Sequence, residues 1–289
     1  MGDTSLISVD LKPMADVTNN IINKFSQAIG WAMVPRKSKK EMEIAVEIYI
    51  KEIQEDDSLP PIIRAAKICN ARKEIKEYVN LQDILQHAQE FGNEYEKNEE
   101  ELDEDWAMFF YDRAKNISFN DAKVLWGKIL AEECNERGSI PKTLVHILSV
   151  MSKEEAESFE DICGFIVDTY SDEKYFDKGL IVPSNYQCVS ELNFFKIKNL
   201  ESLGLIIYSN KSLEVDNSID NRKIDKLIYH DLKITLDYEL DQLPVGHISF
   251  TRAGEILSSM IEEKKLEKFV DSLKVYFKVN GVKAEIYPL

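Results

Sequence analysis

The chain has 289 residues, 44% of them hydrophobic and 10% aromatic, which is material for two compact units with real cores. Its formal net charge of −16 argues against broad nucleic-acid binding, because phosphate contacts need concentrated Lys and Arg. Counting Lys and Arg against Asp and Glu, residues 1–40 sum to +3 and 263–289 to +2, whereas 92–104 alone sum to −6, so an anionic partner is to be sought at the two ends.

The first seventeen residues, MGDTSLISVDLKPMADV, lack a charged region followed by an unbroken apolar one, and so do not read as a secretory signal. Leu6 stands where a myristoylation pattern wants Ser or Thr. No run of about 18 apolar residues is present to span a bilayer. Cys69, Cys134, Cys163 and Cys188 are far apart in the sequence, as expected of reduced thiols, and a cytoplasmic location follows.

Met14, Val17, Ile21, Phe25, Ala28 and Ala32 recur at intervals of three and four, one face of a helix that Asp10 or Asp16 caps and Pro35 ends. Arg36, Lys37, Lys39 and Lys40 follow at once. Met14, Val17, Ile21 and Phe25 with those four basic residues therefore form a candidate partner or membrane surface. Ordinary packing in the core is the competing reading, and the uncharged Asn19, Asn20, Asn23 and Gln27 opposite the stripe speak against lipid.

Residues 38–55 read as a second helix with Met42, Ala45, Val46, Tyr49 and Ile53 inward, broken by Ser58-Leu59-Pro60-Pro61. A third helix runs through Ile62, Ala66, Cys69, Ile75 and Tyr78, and Asn80 is placed to cap a further short helix with Leu81, Ile84, Leu85 and Phe91. The acidic run NEYEKNEEELDED repels itself and offers little to anchor it, as a solvated linker does.

From there the apolar pattern sharpens. Asp105 precedes a helix with Trp106, Phe109, Phe110 and Ala114, and Ser118 one with Ala122, Leu125, Trp126, Ile129 and Leu130. Large aromatics on adjacent helices are most simply a core. Arg137-Gly138-Ser139 makes a turn, and Thr143 to Met151 another helix. Ser152 with Glu155 is a capping box that opens a helix over 153–170.

The last third mixes helix and strand. Tyr186 to Leu203 reads as a helix with Val189, Leu192, Phe195 and Leu200 inward, stopped by Gly204, and strands follow at Leu205–Tyr208, Lys233–Tyr238 and His247–Phe250. Thr251 caps a helix with Ala253, Ile256 and Leu257, and Lys264 to Val279 continues helically. Val282 to Tyr287 closes as a strand, with an Asn280-Gly281 hairpin as the competing reading of this end.

Two resemblances attach to these residues. Trp106 with Phe109-Phe110, then Leu125-Trp126-Gly127-Lys128-Ile129-Leu130-Ala131-Glu132-Glu133, then Gly138-Ser139-Ile140-Pro141-Lys142-Thr143-Leu144, resemble a bacterial family known as domain of unknown function 2806. Its members typically read "LWAKILAGE" and "PGSFSKRTL", so Gly127 here replaces an alanine, Glu132 a glycine, Arg137 a proline and Pro141 a serine. The family implies no established activity and no catalytic residues. Such families often sit in mobile or antiviral loci, which implies a place in phage defence. Leu200-Glu201-Ser202-Leu203-Gly204-Leu205-Ile206 with Phe250-Thr251-Arg252-Ala253-Gly254 is similar to the winged-helix signature of bacterial regulators. Lys196 and Lys198 then mark the candidate recognition helix, although Glu191 and Glu201 bring its charge to zero.

The chemistry-bearing residues form no local motif. His87, His146, His230 and His247 have no metal-ligand spacing, and neither a phosphate loop nor a nucleophile elbow is present. The expected fold is mainly α: a helical N-terminal region (1–92), an acidic linker (93–104), a helical core (105–182), a winged-helix-like α+β module (183–262) and a C-terminal helix and strand (263–289). The expected function is non-catalytic protein–protein interaction without cofactor or metal, the partner being another protein or a second copy of the chain. A winged-helix DNA-binding regulator is the first alternative and a membrane-surface effector the second.

Overall fold

The computed structural model describes residues 20–30, 39–92, 101–183, 192–216 and 223–289, with residues 20 and 39–43 as backbone. The chain divides into two compact units, Met1–Ser149 and Val150–Leu289, and the fold is mixed α+β.

The first unit is helical among its described residues: α1 (Asn20–Ile29), α2 (Lys39–Glu55), α3 (Pro61–Gly92), α4 (Glu104–Ala114), α5 (Asn120–Asn135) and α6 (Lys142–Val150). Its centre is aromatic. The Phe110 ring stacks on Trp106 at 5.1 Å, lies 5.2 Å from Trp126 and meets the edge of Phe25 at 5.9 Å. Trp106, Phe110, Trp126 and Ile129 are all buried, as helical spacing predicts, and Trp106 Nε1 donates to the Ile140 carbonyl at 2.8 Å, so the indole keeps a polar partner inside the core. Leu125 of the same expected cluster is only half-buried.

Three expected boundaries change in this unit. α3 is one helix of 32 residues, and Asn80 stands in its middle instead of capping a second helix. Its buried side chain donates to the Lys115 carbonyl at 3.0 Å, so a tertiary partner satisfies the amide that a cap would have used. Asp103, not Asp105, is the N-cap of α4, accepting from the Trp106 amide at 2.9 Å. Phe119, not Ser118, precedes α5, and it makes no side-chain cap. Of the expected acidic linker, residues 93–100 lie outside the described residues; Leu102 is buried and Asp103 caps.

The second unit carries α7 (Lys153–Cys163), β1 (Ile166–Ser171), β2 (Lys174–Leu180), α8 (Phe194–Leu203), β3 (Ile206–Asp216), β4 (Lys226–Tyr229), β5 (Leu232–Asp237), β6 (Gln242–Phe250), α9 (Arg252–Ser259), α10 (Phe269–Val279) and β7 (Lys283–Pro288). One antiparallel sheet runs β2-β1-β4-β5-β7, and β3 pairs antiparallel with β6 in a second. The mainly α expectation therefore gives way here to two sheets. The capping box at Ser152 and Glu155 opens α7 as read, but the helix stops at Cys163 and not at 170. Residues 166–171 pair as a strand with β2 and β4, which assigns them to the second unit and puts the division inside the stretch 105–182.

Tyr229 and Phe269 anchor this unit. Their rings lie 4.7 Å apart, and the buried Tyr229 hydroxyl donates to the Gly164 carbonyl at 3.0 Å while accepting from the Leu266 amide at 2.8 Å. The helix read as starting at Lys264 begins only at Phe269. After it, Gly281 takes a φ of 78° and the Val282 amide returns to the Phe277 carbonyl at 2.9 Å, a helix C-terminal turn. β7 then pairs with β5, Ile286 opposite Ile234, so Asn280-Gly281 joins helix to strand and is no hairpin.

Candidate interaction surface

α8 is fixed at both ends by chemistry local to it. Asn193, its N-cap, accepts from the amides of Phe195 and Lys196 at 3.0 and 3.1 Å. At the other end Gly204 adopts a left-handed φ of 83°, a conformation that costs a side-chain-bearing residue. Thr251 then donates its hydroxyl to the Gly204 carbonyl at 2.6 Å and accepts from the Gly254 amide at 3.1 Å, capping α9 as the sequence predicts. A side chain on Gly254 would run into the Leu205 carbonyl, so only glycine lets α9 approach this closely.

Held in this way, α8 presents two aromatic rings at its first turn. Phe195 is 79% exposed and Phe194 51% exposed. Successive helix positions stand about 100° apart, and the core takes Ile197 and Leu200, both fully buried. Phe195, expected inward, is thus turned out. Phe194 meets Tyr208 of β3 edge-on at 5.7 Å, and Tyr208 stacks on His247 of β6 at 6.3 Å. The His247 Nδ1 lies 3.0 Å from the Ser209 carbonyl, which accepts.

The two candidate recognition lysines are drawn into this surface. Lys198 Nζ donates to Glu201 at 2.6 Å and lies over the rings of Tyr208 at 4.9 Å and Phe194 at 5.7 Å. Glu201 also accepts from the Tyr208 amide at 2.9 Å, tying α8 to β3, and the Lys198 bond first and that amide second hold its carboxyl below the usual glutamate range. Lys196 lies 3.9 Å from Glu154 of α7, its side chain half-buried. Each lysine thus has a carboxylate of its own unit beside it.

The N-terminal candidates divide. Ile21 and Phe25 are buried in the first unit, Phe25 against Phe110, so they serve its core and not a membrane or partner surface. Met14, Val17, Arg36 and Lys37 lie outside the described residues; Lys39 and Lys40 belong to α2 by their backbone. Burial pushes the thiols of Cys134 and Cys163 up to about 12, which leaves them inert as nucleophiles. Among the described residues no three His, Cys, Asp or Glu side chains gather to hold a metal ion, and no helix is long and apolar enough to cross a membrane.

The exposed phenylalanines are what sequence reasoning missed, although adjacent aromatics opening a short helix carry a signal, since one helix stripe rarely buries both. A family model described as protein of unknown function DUF2806 matches residues 64–274. No curated protein and no solved structure matches the chain.

Proposed function

We propose that this chain, which belongs to the DUF2806 family, is a non-catalytic interaction protein that docks another protein on the aromatic surface of α8 and β3. The observation that carries the reading is Phe195, 79% exposed, beside Phe194, Tyr208 and a lysine that stacks on both rings. Aromatic side chains, Phe and Tyr among them, are enriched at protein–protein interfaces. The succession of α7, α8, the β3–β6 ribbon and α9, with Val182 bridging Gly246 of β6, supports a winged-helix-like reading of this unit, into which β1–β2 and β4–β5 are inserted. A fold of that kind serves protein and DNA alike. The carboxylates beside Lys196 and Lys198 favour protein, because a DNA-reading helix needs those charges for phosphate.

The test compares proteins captured from the native host by the full chain and by Phe195→Asp, followed by titration of the identified partner with both. We expect a partner that binds the wild type and is lost with Phe195→Asp at an unchanged melting temperature. Equal binding by the variant would overturn the reading. Salt-sensitive duplex DNA binding that disappears with Lys196→Ala and Lys198→Ala would replace it with the regulator.

A further inference from the structure

α2 and α3 pack on each other, and each carries exposed as well as buried apolar side chains. Inside the pair, Ile50 and Ile53 of α2 and Ala71 of α3 are buried. Outside it, Ile44, Ile48 and Tyr49 of α2 and Ile62 and Ile63 of α3 are exposed, Ile48 at 55% and Ile62 at 77%. Ala66 and Cys69, one and two turns on from Ile62, are exposed as well. Single exposed apolar side chains are ordinary, but several gathered on adjoining helices make a patch that is normally covered. The residues expected to face a core at 45, 49, 62, 66 and 69 find none among the described residues.

Charge identifies what covers them. From Ile44 to Asp57 the chain carries Glu47, Glu52, Glu55, Asp56 and Asp57 against Lys51 alone, whereas Pro61 to Lys73 carries Arg64, Lys67, Arg72 and Lys73 and no acid. Part of this is used inside the hairpin, where Arg64 lies 3.5 Å from Asp57 and Lys51 3.7 Å from Glu55. Glu47, Glu52, Lys67 and Arg72 all remain exposed. An acidic arm and a basic arm on one apolar hairpin make a self-complementary surface. We propose that a second copy of this chain covers it, α2 of each copy lying on α3 of the other. A two-fold axis running along the hairpin gives that pairing, while one running across it would set acid on acid. An anionic lipid surface would be repelled by α2 and is not the occupant. This contact involves only the first unit and is independent of the α8 surface.

The test is the mass of the purified full chain by light scattering. Wild type should run at twice 33.3 kDa, and Ile48→Glu with Ile62→Glu should bring it to one chain with an unchanged far-ultraviolet circular dichroism spectrum. Two charge variants then read the pairing itself. Glu47→Lys with Glu52→Lys, and Lys67→Glu with Arg72→Glu, should each be monomeric alone and should dimerise when mixed. Damage confined to one chain's own hairpin would not be repaired by mixing. A monomeric wild type, a dimer that survives Ile48→Glu with Ile62→Glu, or charge variants that stay monomeric when mixed would each overturn the proposal.

Discussion

Asn80, in the middle of α3, donates its side-chain amide to the carbonyl of Lys115, the C-cap of α4, at 3.0 Å. That carbonyl is at a helix end, where backbone acceptors lack helical partners, and Asn80 itself is buried. One bond thus meets two polar needs and sets the register between a long helix and a short one. Asn80→Ala removes the donor and is expected to cost about 1–3 kcal/mol, read as a lower urea midpoint. An unchanged midpoint would mean that the two helices are positioned without it.

Trp126 lies against the ring that joins three helices, since Phe110 touches Trp106, Trp126 and Phe25 together. Truncation to Ala leaves a cavity that rigid helices close only in part. Trp126→Ala should cost about 3–5 kcal/mol, measured as loss of near-ultraviolet circular dichroism at lower urea. A soluble variant with wild-type stability would place the indole outside the core.

Asp103 supplies a pH dependence with a definite sign. Its carboxylate accepts from the Trp106 amide and from Arg137, each at 2.9 Å, and these bonds, the amide first, hold it below the ordinary aspartate value of 3.8. A depressed folded pKa adds stability above the unfolded value and loses it as pH falls through the folded one. The ion pair is exposed and screened, so the cap carries most of the effect. Asp103→Ala should therefore cost about 1 kcal/mol at neutral pH. The gap in melting temperature between variant and wild type should close on acidification below the ordinary aspartate range. A gap that stays constant into acid would show that the charge plays no part.

Features encoded within four residues were legible in the sequence. The capping box of Ser152 with Glu155, the left-handed stop at Gly204 and the cap of Thr251 on Gly254 all need only their own neighbours. Features decided by distant partners were not. Phe165, Ile166 and Val167 continue the apolar run of α7, but pairing between β1 and β2 makes the last two strand. The β1–β2 turn hides too, because Asp172 and Glu173 take φ values of 50° and 62° without the glycine or asparagine that announces such a turn. At the candidate surface the helix and its lysines were visible, although it was read from Tyr186 and α8 begins only at Phe194, after its cap Asn193. Glu201 beside Lys198 is local to the helix, three residues on, whereas the outward Phe195 and Glu154 beside Lys196 depend on how α7, α8 and β3 pack.

Gly127 of α5 gives the sharpest test of that packing. A Cβ there would come 2.6 Å from the His87 Cβ and 2.8 Å from the Ala88 amide nitrogen of α3, and Gly127 and Ala88 are both buried. Two effects oppose each other in Gly127→Ala. Helix propensity favours alanine by about 1 kcal/mol. Against it, the obstruction includes backbone of a 32-residue helix, which a rotamer change cannot clear, and overpacking of this kind costs about 1–3 kcal/mol. The α3–α5 contact should win, because Lys123 of α5 is also bound to Asp83 of α3 at 2.9 Å and resists separation of the pair. Gly127→Ala is thus expected to lower the melting temperature. A rise would mean that α3 and α5 separate freely and that propensity decides at this position.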